Sequence, residues 1–236
     1  MMQMKKNLLI AGAGAGIGLA LAKHLQQEYE LIVVNRSDNE SFQALTGKKV
    51  ITDCTNQLAV QQIPLPESLA GVVYCPGSIT LKPFQRLTQA DMESDMNQNV
   101  WGAVYLLQHC LNALKRQNNS SVVLFSTVAV QTGLTFHSSI AMAKGSVEGL
   151  VRSLAAEWVG AGIRVNAIAP SLTDTKLSTG LLNTPEKKAA AEKRHPLAKI
   201  GTPESIAALA AFLLSENADW ITGQILHADG GLSSLR

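Results

Sequence analysis

Seven short runs rich in Val, Ile and Leu recur through the 236-residue chain, separated by longer segments of helical period. The runs occupy 7–11, 31–35, 49–53, 72–75, 122–126, 164–169 and 224–228. Strands that read as continuous apolar runs, rather than as apolar–polar alternation, are buried on both faces. Their alternation with helical segments predicts an α/β fold: one doubly wound parallel sheet of about seven strands with helices on both faces. Trp101, Val104, Tyr105, Leu111 and Leu114 fall on one helical face, and so do Ile206, Leu209, Ala210 and Leu213. The first connection, from 16 to about 28, and the segment 140–159 are Ala-rich and lightly charged, as helices buried over a wide face would be. The whole of 1–236 is expected to form a single domain, with no repeat or long linker. The least regular stretch is 171–197, polar and Lys-rich, with Pro185 and Pro196 as breakers. It reads as a substrate lid or as a solvated excursion.

Charge and cysteine content narrow the partners. The net charge is +2 with no long basic run, which leaves no electrostatic footprint for nucleic acid or an anionic membrane and favours a small-molecule partner. Cys54, Cys75 and Cys110 are odd in number and far apart, with no cluster at metal-ligand spacing, so a reducing cytoplasm is expected and neither a disulfide nor a metal. Lys5-Lys6 before the apolar run 8–22 superficially resembles a leader peptide. That run carries glycines at 12, 14, 16 and 18, and its removal would delete the first strand and the start of the first helix. No other stretch approaches a membrane span.

In an open parallel sheet, ligands bind in the crevice beyond the carboxyl ends of the strands. The first strand ends in Gly12-Ala13-Gly14-Ala15-Gly16-Ile17-Gly18, the second in Asn35-Arg36, the third in Asp53-Cys54, the fourth in Cys75-Pro76-Gly77, the fifth in Ser126-Thr127 and the sixth in Pro170-Ser171. Glycines between a strand and a helix let a diphosphate approach the backbone at the helix N-terminus. The spacing is Gly12-x-x-x-Gly16-x-Gly18, not Gly-x-Gly-x-x-Gly, because position 17 is Ile. An acidic residue at the end of the second strand would bind the adenosine 2′-hydroxyl of NAD. The chain has Asn35-Arg36 there, and a guanidinium can clamp a 2′-phosphate, so NADP(H) is favoured over NAD(H).

The chain resembles the short-chain dehydrogenase/reductase family over essentially its full length. The resemblance rests on the glycine turn, Asp53, Asn99, Lys144, Arg164-Val165-Asn166 leading to Pro170, Gly201-Thr202-Pro203-Glu204, Ile221-Thr222-Gly223-Gln224 and Asp229-Gly230-Gly231. It implies a Rossmann-type domain that transfers hydride between a nicotinamide cofactor and a small carbonyl or alcohol, assembled as a homodimer or homotetramer. It further implies adenine contact by Asp53 and cofactor contact by Cys54, Cys75, Gly77, Lys144, Pro170, Thr173 and Thr175. The segment after the fourth strand, usually Asn-Asn-Ala-Gly, is Tyr74-Cys75-Pro76-Gly77, so contact there runs through backbone or is altered.

The largest departure is chemical. In the family a Tyr four residues before the Lys exchanges the oxygen-bound proton, and i, i+4 spacing puts the two on one helix face. Four residues before Lys144 stands Ile140, a hydrocarbon that exchanges no proton at any pH. The position of the family's Ser falls on Thr127, with Ser126 pointing to the other face of an extended strand. The catalytic set implied is Lys144, Thr127 and Asn99. His137 would be a surrogate acid if the helix extends that far, or a loop residue that caps the helix or faces solvent. Ser138 and Ser139 fit helix initiation, and water held by Thr127 and Asn99 is a third proton source. Two readings follow: an oxidoreductase with altered acid catalysis, or a non-catalytic NADP(H)-binding sensor or subunit of the same fold.

Overall fold

The computed structural model describes residues 5–235. Seven strands, β1 (Lys6–Ala11), β2 (Tyr29–Asn35), β3 (Lys48–Ile51), β4 (Gly71–Tyr74), β5 (Ser120–Phe125), β6 (Ile163–Pro170) and β7 (Ile225–Ala228), form one sheet. It has the order β3-β2-β1-β4-β5-β6-β7 and every pairing is parallel. The expected α/β architecture is observed, and each run anticipated from composition coincides with a strand to within a few residues. The order reverses between β1 and β4, where Ala11 lies beside Tyr74, and a crevice opens there at the carboxyl edge.

The residues of β1 show why these runs are apolar throughout. Leu9 and Ala11 pack into one core layer, and Leu8 and Ile10 into the other. With a side-chain period of two, adjacent residues point to opposite faces, so a strand covered on both sides takes a polar side chain only where it finds hydrogen-bond partners. Leu8, Leu9 and Ile10 each contribute about 1.5–3 kcal/mol by leaving water.

The helices in chain order are α1 (Gly16–Leu25), α2 (Glu40–Gln43), α3 (Gln57–Val60), α4 (Gln89–Met96), α5 (Gly102–Lys115), α6 (Ala129–Thr132), α7 (Ser138–Trp158), α8 (Thr179–Leu182), α9 (Pro185–Lys193) and α10 (Pro203–Leu214). Leu106, Leu107 and Cys110 of α5 pack with Val147 and Val151 of α7 on one face; Leu21 of α1 packs with Ile206 and Leu213 of α10 on the other. α1 stops at Leu25, one turn earlier than its Ala-rich sequence suggested.

Several motifs behind the family resemblance prove to be structural ties. Arg164 donates to the carbonyls of Leu213 and Ser215, satisfying the end of α10. The amide of Asn166 donates to Ile221 O and accepts from Gln224 N, which fixes β7 against β6. Thr202 caps α10 and Pro203 occupies its first turn, where its missing N–H costs nothing.

The stretch 171–197 is more regular than its composition suggested, because it holds α8 and α9. Pro185 starts α9 instead of breaking the chain: Thr184 accepts from Lys187 N and the proline fills the first helical position. The excursion is closed at its base, where Thr173 bridges Gly201, Gly201 N donates to Leu172 O at 3.0 Å and Asp174 N donates to Gly201 O at 3.0 Å.

Candidate active site

The carboxyl edge carries two cavities that meet. A groove of about 550 Å³ runs over the glycine turn and the ends of β2, β3 and β4. A mostly apolar pocket of about 300 Å³ lies beyond β5 and β6, beneath the 171–197 excursion. Ile17, Cys75, Gly77, Thr175 and Leu177 line both.

Backbone forms the groove wall. Gly12 has φ +78°, and a Cβ there would stand 2.9 Å from Pro76 N; a Cβ on Gly18 would run into the carbonyl oxygen of Gly12. α1 begins at Gly16 with no side-chain cap and no acidic residue in its first turn, so its free N–H groups face the groove. Among the sequence-nominated residues, Gly12, Ala15, Gly16, Ile17 and Gly18 line the groove, together with Asn35, Arg36, Asp53, Cys54, Cys75, Gly77 and Thr175. Ala13 and Gly14 do not. Ala13 is buried in the α1–α10 layer, and the space a Gly14 side chain would need is filled by the amide of Asn35.

That amide accepts from Gly14 N and donates to Ser37 O, so Asn35 braces the turn, while the exposed Arg36 presents a cation at the groove rim. Asp53 accepts from the N–H and hydroxyl of Thr55, closing a tight turn after β3. Burial pushes the thiols of Cys54 and Cys75 up to about 12, so neither is a thiolate near neutral pH.

At the junction, Asn99 lies on a π-helical turn, Asn97–Trp101, between α4 and α5. No residue spacing marks this turn. Tyr74, buried at the end of β4, donates from its phenol to Gln98 O at 2.7 Å and so pins the turn. Burial also raises the Tyr74 phenol above its ordinary range. π turns of this kind often sit at functional sites, because they redirect one side chain out of the helical register.

The amide nitrogen of Asn99 donates to Asp95 O at 2.8 Å and to the Ser78 hydroxyl at 3.2 Å. Among the described residues, its buried Oδ1 has no partner. A Cβ on Gly77 would stand 3.2 Å from that oxygen and 4.0 Å from Lys144 Nζ, so glycine keeps this space open between them. Lys144 Nζ donates to Phe125 O at 2.8 Å. Burial brings its pKa down to about 8, with nearby Asp95 opposing the shift. Asp95, fully buried, accepts from Ser78 through one oxygen and from Ser139 through the other, at 2.7 Å each.

The pocket wall carries the departures. Ile140 is 3% exposed and lines the pocket with Lys144, Thr127, Pro170 and Thr173. Ser126 donates to the buried Glu148 on α7 at 2.8 Å, while the Thr127 hydroxyl accepts from Ala129 N. α7 starts at Ser138, so the helix does not reach His137. Its carbonyl accepts from Ala141 N, its ring makes no capping bond, and Nδ1 lies 2.7 Å from Thr135 O. Half-buried, His137 nevertheless lines the pocket. Ser138 and Ser139 open the helix without capping it, Ser139 being tied to Asp95.

One pair escaped the sequence reading altogether. The Ser171 hydroxyl, just past β6, meets Nε2 of His195 at 2.8 Å, and both residues line the pocket. Twenty-four positions separate them, and only the fold of the 171–197 excursion brings them together.

A glycine-lined groove at the switch point of a doubly wound parallel sheet, opening into an apolar pocket, is the architecture of a Rossmann-type α/β protein. The family described as Enoyl-(Acyl carrier protein) reductase matches residues 12–233, and the chain belongs to the short-chain dehydrogenase/reductase family. It is similar to a tropinone reductase homologue of Arabidopsis thaliana, 36% identical over 157 residues that cover 66% of this chain and 60% of that protein. The chain thus spans somewhat under two thirds of that relative's length. Among solved structures, a short-chain type dehydrogenase/reductase from Mycobacterium ulcerans superposes with TM-score 0.91 at 26% identity, covering 100% of this chain and 92% of the other. ElxO with NADP bound gives 0.90 at 25% identity, covering 98% and 100%. Among the described residues, no helix is long and apolar enough to cross a membrane, and no three His, Cys, Asp or Glu side chains gather as metal ligands would.

Proposed function

We propose that the chain is an NADP(H)-dependent oxidoreductase acting on a small, largely apolar carbonyl or alcohol, with its acid chemistry reorganised because Ile140 stands where the family's tyrosine stands. The observation that carries this reading is the continuity of the glycine groove with the apolar pocket, and Lys144 beside Gly77 where they meet. The residues fit a dinucleotide: the glycines leave room against the backbone, the N-terminus of α1 is uncapped, and Arg36 suits a 2′-phosphate. NADP(H), when bound, supplies or accepts the hydride.

The chain's own residues bind and orient. The turn 12–18 and the start of α1 hold phosphate, Asp53 lines the adenine end, and Thr175 reaches from groove to pocket. Lys144 and the unpartnered Asn99 oxygen face the space kept by Gly77, where they would receive a ribose hydroxyl or a water. Thr127 offers the substrate oxygen a hydroxyl, and His137 stands at the same wall. A homodimer or homotetramer is proposed on the family resemblance.

Ile140 itself favours a second reading, in which the chain binds NADP(H) without turnover. Fluorescence titration with NADPH and NADH, followed by NADPH consumption with a panel of small apolar ketones, separates the two. Saturable NADPH binding with turnover is expected, and binding without turnover of any ketone would leave the sensor reading standing.

A further inference from the structure

The Ser171–His195 pair joins two side chains of the pocket wall by a hydrogen bond of 2.8 Å. His195 is 3% exposed and held by its backbone: its N–H donates to Glu192 O at 3.0 Å and its carbonyl accepts from Ala198 N at 2.8 Å. Its Nδ1 lies 2.8 Å from Ala191 O. A carbonyl only accepts, so Nδ1 carries a proton whatever the ring's charge. That leaves Nε2 to face Ser171 as an acceptor when the ring is neutral and as a donor when it is protonated. Ser171 and His195 line the same pocket as Ile140, Lys144 and Thr127. His137, by contrast, has its only ring bond to the neighbouring Thr135 carbonyl and reaches no hydroxyl on the wall.

We propose that Ser171 and His195 form a proton relay that serves the substrate oxygen in place of a side chain at position 140. This rests on the oxidoreductase reading above. In the reducing direction, hydride from the reduced nicotinamide, which is left as NADP⁺, bonds to the carbonyl carbon while the C=O π pair moves to oxygen. That oxygen takes the proton of the Ser171 hydroxyl, and Ser171 takes the Nε2 proton of the His195 imidazolium. His195 is left neutral with Nδ1 still protonated and donating to Ala191 O, and solvent restores the second proton. Alcohol oxidation runs the same transfers backwards, starting from neutral His195. Ser171 touches substrate; His195 is a positioning residue that acts through it.

Three measurements test the relay. Side-chain ¹⁵N NMR of the cofactor-free protein, with the signals assigned through His195→Gln, should show neutral His195 protonated at Nδ1 and an Nε2 resonance that moves in Ser171→Ala. With acetophenone and cyclohexanone as probes, Ser171→Ala and His195→Gln should each lower kcat by about 10²-fold, the usual scale for one acid–base group, with little change in KM or NADPH affinity. Free imidazole should restore turnover to His195→Ala, which a strut between the excursion and β6 would not allow. Parent turnover that survives both substitutions overturns the relay alone, as does an Nε2–H tautomer or a loss that imidazole does not repair. Absence of parent turnover while NADPH still binds overturns the oxidoreductase reading, and the relay with it.

Discussion

At the β1 end of the carboxyl edge the groove is walled largely by backbone: Gly12, the start of α1 at Gly16–Gly18 and the peptide around Pro76. At the β5–β6 end the wall is made of side chains, Ile140, Thr127, Ser171 and His195 among them, and is mostly apolar. Backbone recognition of phosphate tolerates almost no substitution, because a single Cβ fills the space the ligand needs. A wall of side chains can be rewritten one residue at a time while the sheet behind it stays the same. On the proposed reading, this contrast is why the groove keeps a glycine turn while the pocket wall carries Ile140 where the family resemblance implies a tyrosine.

The sharpest way to break this contrast is at Gly18. A methyl there meets the Gly12 carbonyl, so Gly18→Ala should cost about 1–3 kcal/mol in stability by overpacking and abolish measurable NADPH binding. Calorimetric titration alongside thermal unfolding checks both. Unimpaired binding would show that the turn does not cradle the phosphates.

Ile140→Tyr tests the opposite wall. A phenol on the same helical face as Lys144 should raise ketone reduction by about 10²-fold, the worth of one positioned acid. No gain in steady-state kcat would mean the pocket has drifted along with the residue.

Lys144 lies between the two regions and yields a pH signature. Its folded pKa of about 8 is below the ordinary lysine value of 10.5, so between those values the unfolded chain holds a proton that the folded chain has released. Stability of the cofactor-free protein should therefore rise with pH across that window, by at most about 3 kcal/mol from this group. Urea unfolding at a series of pH values should show the rise in the parent and its loss in Lys144→Met.

Arg36→Ala should cut the preference for NADPH over NADH by about tenfold or more, since a charge-assisted hydrogen bond contributes about 1.5–3 kcal/mol. Equal binding of both cofactors by the parent would remove the argument from the second strand. The smallest effect is expected at His137→Ala, which should lower ketone turnover only slightly in steady-state assays. A large loss would move the proton donor to the rim of the pocket.

Most of the sheet was legible because burial on two faces leaves an unmistakable apolar run, and Leu8 to Ala11 need no tertiary information to be read. Strand ends were legible for the converse reason, as glycines and polar residues interrupt those runs at one edge. What could not be read depends on distant chain segments meeting. Asn35 looked like a cofactor ligand, yet its amide also braces Gly14. Tyr74 looked like the loss of a family motif, yet its phenol pins the turn that carries Asn99. His195 follows a helix whose first residue, Pro185, looked like a breaker, and no spacing rule links it to Ser171.

The bridge between Thr173 and Gly201 gives the pocket's cover an unusual status in the chain. Because the two ends of the excursion are already joined at its base, lengthening or shortening the segment between them changes the cost of closing it only slowly. On the proposed reading the segment is an exchangeable cassette: a transplanted cover of different length and chemistry should bring its own set of substrates to an unchanged sheet. Ser171, on the sheet side of that bridge, would stay behind while His195 left with the cassette.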